Sequence, residues 1–447
     1  MPNNVGGYMS ATAGTLNGGG GGSMPSGSAP KGAKGKPSGK KPSGKMPSGK
    51  MPSTSKKSTK SSGFTPTGKL GKGLNANGGA SSTSSIKYAL SKGYVVASPG
   101  VRGRDAKKNG KYDGKAPAAI VDLKAAVRYL KYNKSRLVGN TNKIISDGTS
   151  AGGALSALLA ASGNNADYAP YLKAIGAANT SDNIYGAFAF CPITNLENAD
   201  KAYEWQSQGI TSIAGGGPGN TTGSNTLSSK SQKLSSTLAN NFVTYVNSLN
   251  LKDGNTTLKL SSDGKSGSFA DLVKKAVKDS AQKALDSGTK ITEKKYPFLT
   301  IKNGKVTDVD LTKYFKSIGR SKSVPAFDSL DLSQAENIEF GTSTKNAQHF
   351  TKFSTENNTK KGATTANSSI VKMMNPMNYL SNSDTAKYIW IRYGETDTNT
   401  SIAVPLILSQ AMKNAGMNVN YHLQWNTGHT GDYDMTNMFK WADKISK

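Results

Sequence analysis

A serine, a histidine and a carboxylate can split an ester between them if a fold brings them together, and this chain offers one of each in suitable settings. Ser150 lies in Gly148-Thr149-Ser150-Ala151-Gly152, a G-x-S-x-G pattern. A short apolar strand with Ile144 and Ile145 enters it, and an Ala/Leu-rich helix closed by Gly163 leaves it. A turn that tight strains the serine backbone, and only glycine lets strand and helix come so close on both sides. Ser150 would stand at a helix N-terminus, where the Ala151 amide can face a developing oxyanion.

The chain has three histidines. His422 alternates within an expected strand, and His349 falls in a polar region without α/β rhythm. His429 follows a strand in a Gly-flanked loop, Asn426-Thr427-Gly428-His429-Thr430-Gly431, and suits a base that reaches over a sheet edge. Asp397, in the loop after the strand at 387–394, lies deeper than Glu395 and precedes the histidine. Its role would be to hold the imidazole in the tautomer that accepts the serine proton. Asp432 and Asp434 stay open as alternative orienters. Serine, acid and histidine in that chain order is the order of α/β-hydrolases. The set calls for no metal and no organic cofactor.

The elements that would position these groups alternate. A helix at 86–93, a strand at 94–98, a helix from Pro117 to about 132, the elbow strand and helix, and a strand at 184–192 follow in turn. A strand at 387–394, a helix at about 401–415, a strand at 419–425 and a last helix complete the pattern. The expected fold class is α/β, a mostly parallel sheet covered on both faces, with a smaller inserted domain. Between Trp205 and about Met374 that rhythm stops, and Ser, Thr, Asn, Gly and Lys dominate. One helix stands out there, with Ser268 as N-cap and Phe269, Val273, Val277 and Ala281 on one face. The expected organisation is 1–10 as an oxyanion-loop strand, 11–85 as a disordered insertion, and 86–205 and 375–447 as the two parts of the core. Residues 206–374 would be a lid over the carboxyl ends of the strands.

At 447 residues, size does not limit the core, but hydrophobic residues are only 35% and glycines number 50, so part of the chain should be unpacked. The net charge is +29, and residues 31–72 hold twelve lysines and no acid, within repeats such as Lys36-Pro37-Ser38-Gly39-Lys40. Such a segment reads as a solvated linker with weak polyanion affinity. A single cysteine, Cys191, excludes an intramolecular disulfide framework and a Cys-rich metal site, and it reads as a small core residue at a strand end. No apolar run is long enough for a membrane span, and no basic-then-apolar leader opens the chain. The expectation is therefore a cytoplasmic location for the chain as it stands, with a lost leader as the alternative. The Gly6-Gly7 pair sits where many α/β-hydrolases place the loop that donates a second oxyanion amide. With no strand before it, the first strands of such a fold are expected to be missing.

The stretches at 1–9, 93–104, 114–153, 187–205, 325–341 and 393–434 together resemble the bacterial tannases of the lactobacillus type, serine esterases of the α/β-hydrolase fold that cut galloyl esters. The resemblance implies Ser150, Asp397 and His429 as the triad, and Lys322 and Glu336 as groups that bind the phenolic hydroxyls of the ring. Without it, both would read as solvated surface charges. Where that family carries a second carboxylate two residues past the triad acid, this chain has Asn399, whose amide accepts a hydrogen bond but lacks the charge. The implied partner is a small phenolic ester. A broader phenolic carboxylesterase such as a feruloyl esterase, a peptidase of the same fold and a non-catalytic polyanion-binding protein are the competing readings.

Overall fold

The computed structural model describes residues 1–14, 83–214 and 225–446. The lysine-rich repeats, and with them the expectation of a disordered, polyanion-binding segment, lie outside these residues. Four parallel strands form the central sheet: β1 (Ile145–Thr149), β2 (Gly186–Phe190), β3 (Tyr388–Gly394) and β4 (Asn418–Gln424), in spatial order β4-β3-β2-β1. β2 is buried along its whole length, as a parallel strand covered on both faces should be. Beside β1 runs the start of the chain, with Asn3 N–H donating to Asp147 O at 2.8 Å and Asp147 N–H to Met1 O at 3.0 Å.

The helices used below are α1 (Thr83–Ser91), α2 (Ala118–Tyr132), α3 (Ala151–Ala161), α4 (Leu196–Ser207), α5 (Ser229–Ser248), α6 (Ser268–Asp286), α7 (Ala403–Asn414) and α8 (Met435–Ser446). α3 is buried at every position, so its Ala/Leu/Gly composition reflects burial all round rather than one apolar stripe. The aromatic cluster of Phe188, Trp390, Phe439 and Trp441 seats α8 on one face of the sheet.

Several expectations change here. Residues 94–98 form no ladder strand, and Val95 is exposed. The first segment continues past residue 10: Ala11 pairs with Val101 through two backbone hydrogen bonds, and Gly14 N–H donates to Ser98 Oγ. Ser268 is the first residue of α6 and not its cap. Gly267, at φ 103, occupies the cap, while the Ser268 hydroxyl donates to Thr257 O and accepts from Lys259 N–H. The expected face of α6 is buried at Phe269, Val273, Val277 and Ala281. α5 is a second long helix in the same region that its Ser, Thr and Asn content conceals. Leu238, Phe242 and Val246 carry its buried stripe, and α4 supplies the surface it covers. Trp205 of α4 joins the two regions, lying 5.1 Å from the Phe242 ring and 6.0 Å from that of Phe269, with its indole N–H donating to Gly264 O. No helix among the described residues is long and apolar enough to cross a membrane.

Candidate active site

Every strand of the sheet ends at the same edge, so the residues that follow β1, β2, β3 and β4 gather there. β1 turns at Ser150, whose φ 60 and ψ −121 lie outside the regions an L-residue prefers. Glycine makes the turn feasible: a Cβ on Gly148 would strike Gly152 O, and one on Gly153 would lie 2.7 Å from Phe190 O. Ser150 N–H donates to Phe190 O at 2.9 Å, which fixes the elbow to β2.

β3 leads into Asp397, fully buried, and β4 into His429. His429 Nδ1 lies 2.7 Å from Asp397 Oδ2, while Asp397 Oδ1 accepts the Asn399 N–H at 2.8 Å. Burial opposes charge on the imidazole, but the Asp397 charge and hydrogen bond outweigh it and raise its pKa above the ordinary histidine value. The alternative acids have other partners. Glu395 accepts from Asn426 N–H, and Asp434 pairs with Arg392 at 3.0 Å. Asp432 accepts from Ser85 N–H. Of the other histidines, His349 is buried against Asp328 at 2.7 Å and His422 lies 3.3 Å from Lys283 Nζ.

Ser150 Oγ and His429 are not joined by a hydrogen bond among the described residues. The loops that carry them meet nonetheless: Gly431 presses on Thr149 so closely that a Cβ there would collide with the threonine side chain. Catalytic hydrogen bonds often tighten only when substrate is bound. On the other side of the elbow, Gly152 N–H donates to Val5 O at 3.0 Å and Asn3 Nδ2 donates to Gly152 O at 3.1 Å, which packs the start of the chain onto α3. The amides of Gly6, Gly7 and Ala151 have no acceptor among the described residues. Gly6 also faces open space.

The Lys322 segment is tied to the acid loop by Tyr203. The Tyr203 hydroxyl accepts from Ser321 and Lys322 N–H and donates to Thr398 O, and Ser321 Oγ donates to the same carbonyl at 2.7 Å. Lys322 is buried, with its ammonium 3.8 Å from the centroid of the Phe327 ring. Burial pushes its pKa down, and Glu336, Asp200 and Asp397 counter the shift. Glu336 is buried as well, and no ion pair joins it to Lys322 among the described residues. Neither is the solvated surface charge that composition alone suggests. Asn399 is half-buried in the acid loop.

Cys191 is more than core filling. It follows β2 at φ 42, and its thiol, Asp397 and His429 offer ligand atoms within 4.8 Å of one another. Burial pushes the thiol pKa up. The signal in the sequence was position: a polar atom at the carboxyl end of a central strand, next to the one that carries the serine.

Known proteins share this fold. The tannin acyl hydrolase of Lactobacillus plantarum is 44% identical, over 82% of this chain and 80% of that one, with a TM-score of 0.79. The chain belongs to the tannase family. The Fusobacterium nucleatum tannase is similar to the same degree, at 46% identity over 81% of this chain and 80% of that one, with a TM-score of 0.76. A tannin acyl hydrolase in complex with ethyl gallate is 44% identical over 82% and 80%, with a TM-score of 0.78. The family profile BD-FAE matches residues 71–248. No curated protein sequence matches the chain. As a tannase-family member with the α/β-hydrolase fold, the protein is a carboxylic ester hydrolase.

Proposed function

We propose that this tannase-family enzyme hydrolyses galloyl esters through an acyl-enzyme on Ser150. Attack of Ser150 Oγ on the ester carbonyl passes the hydroxyl proton to His429 Nε2, and Asp397 stabilises the imidazolium through Nδ1. The amides of Ala151, Gly6 and Gly7 receive the oxyanion. The carbon–oxygen bond to the alcohol then breaks, with the proton passing from His429 to the leaving oxygen. Water, deprotonated by the same histidine, releases the gallate and restores the serine. The observation that carries this reading is the 2.7 Å contact between His429 Nδ1 and Asp397 Oδ2, at the strand edge where the Ser150 elbow also stands.

In this reading Lys322, Glu336 and Asn399 form the ring subsite. A cation, a carboxylate and an amide match hydroxyls that both donate and accept, and a site left with unpaired groups rejects rings that lack them. The ethyl gallate bound by a relative supports the same class of substrate. Residues 206–374 act as the lid that carries Lys322 and Glu336. The test is kcat/KM on methyl gallate, methyl 3,4-dihydroxybenzoate and methyl ferulate. Preference in that order supports the galloyl reading, and preference for ferulate makes the enzyme a broader phenolic esterase. Weak polyanion binding by residues 31–72 is a separate proposal that rests on their lysines, and salt-sensitive retention on heparin tests it.

A further inference from the structure

The oxyanion amides proposed at Gly6 and Gly7 depend on a turn that the local chain does not favour. Met9 N–H closes it on Gly6 O at 3.0 Å, and both Gly7 (φ 52) and Tyr8 (φ 57) are left-handed. Tyr8 carries a side chain into that region, so the conformation persists only if its surroundings hold it. Successive amides in such turns form concave anion sites. The surroundings come from a strap at residues 101–105. Val101 pairs with Ala11, Gly103 N–H donates to Ser10 Oγ, and Ser10 N–H and Oγ–H both donate to Asp105. A Cβ on Gly103 would collide with the backbone of Met9 and Ser10.

Arg104 occupies the end of this strap nearest the turn. Its backbone N–H donates to Tyr8 O and its side-chain Nε–H to Gly7 O, each at 2.8 Å, so one residue takes the carbonyls of both left-handed residues. Only the Gly7 bond depends on the side chain. The guanidinium is half-buried. Its Nη groups have no acceptor among the described residues, and its charge faces Glu336 and Glu339. Glu339 is fully buried with neither carboxyl oxygen hydrogen-bonded, and Lys115 is the other cation it faces. Arg104 therefore bonds the turn through Nε while its charge is felt by the carboxylate proposed to read the ring.

We infer that Arg104 is a positioning residue of the oxyanion loop, its Nε–H bond to Gly7 O holding the Gly6 and Gly7 amides in the orientation that receives the tetrahedral intermediate. The inference rests on the proposed role of Gly6 and Gly7. Lysine cannot replace it, because an ammonium lacks the planar fork that donates sideways from Nε.

The test uses the full chain with Arg104→Ala and Arg104→Lys, methyl gallate as substrate, and phenylboronic acid as a probe that forms a tetrahedral adduct on the serine. Both variants should lose about 10- to 100-fold in kcat with KM within about twofold. The boronate Ki should rise in step with the fall in kcat/KM, and millimolar ethylguanidinium should restore part of the activity of Arg104→Ala. Should the alanine variant not fold, the lysine variant decides by the same kcat and Ki readings. Unchanged kcat, or a higher KM at unchanged kcat, overturns the inference, and so does a boronate Ki equal to that of the parent. If Ser150→Ala still turns over methyl gallate, the reading of the site itself fails. If Ser150 is essential and the Arg104 variants behave as the parent, only the role of Arg104 does.

Discussion

Cys191 Sγ–H points to Thr430 O at 3.4 Å, so the end of β2 holds the loop that presents His429. The loop is thus fixed from two directions, by the Asp397 carboxylate on β3's extension and by the central strand between serine and acid. Because Cys191 is fully buried, its thiol should not react with Ellman's reagent in the native protein and should react stoichiometrically in guanidinium chloride. Rapid native labelling would contradict the placement.

Asp397→Asn should cut kcat by about 10⁴-fold while leaving the fold intact, because the imidazole loses the partner that sets its tautomer. The pH profile gives the sign. In the parent, the Asp397 charge raises the His429 pKa against the effect of burial, so kcat/KM climbs with pH as the imidazole loses its proton. Without that charge, burial prevails and the acid limb should move to lower pH. An unmoved or raised limb would place the titrating group elsewhere.

The elbow should reveal its strain in stability measurements. Ser150→Gly and Ser150→Ala both remove the nucleophile, but only glycine is at ease at φ 60. Urea unfolding should find Ser150→Gly about 1 kcal/mol more stable than Ser150→Ala. Equal stabilities would mean that the turn relaxes without the hydroxyl.

The fold class was legible in the sequence, and the triad candidates were named there from pattern and chain order. Parallel strands buried on both faces read as continuous apolar runs, the strand–GxSxG–helix passage pointed to Ser150, and chain order and loop position pointed to Asp397 and His429. The Tyr94–Ser98 run misled because its Tyr, Val and Val are strand formers, and whether they pair depends on neighbours that local sequence does not specify. Lys322, Glu336 and Arg104 carry no local pattern. A charged side chain looks the same in sequence whether water or a buried site receives it; Lys322 is buried where Tyr203 ties its segment to the acid loop, and Arg104 is half-buried where its Nε–H meets Gly7 O.

The proposed ring subsite makes its own prediction. Lys322→Met and Glu336→Gln should raise KM for methyl gallate by about tenfold or more and leave methyl benzoate nearly unaffected, since each removes a buried partner for a hydroxyl that benzoate lacks. Equal losses on both esters would mean that these residues support the fold and do not read the ring.

The central claim is that Ser150 turns over a galloyl ester, and gallate release from methyl gallate by the parent beside Ser150→Ala tests it most directly. The account predicts turnover by the parent and a loss of at least about a thousandfold in the alanine variant at unchanged circular dichroism. Gallate release that survives the substitution, or a folded parent with no turnover, would contradict it.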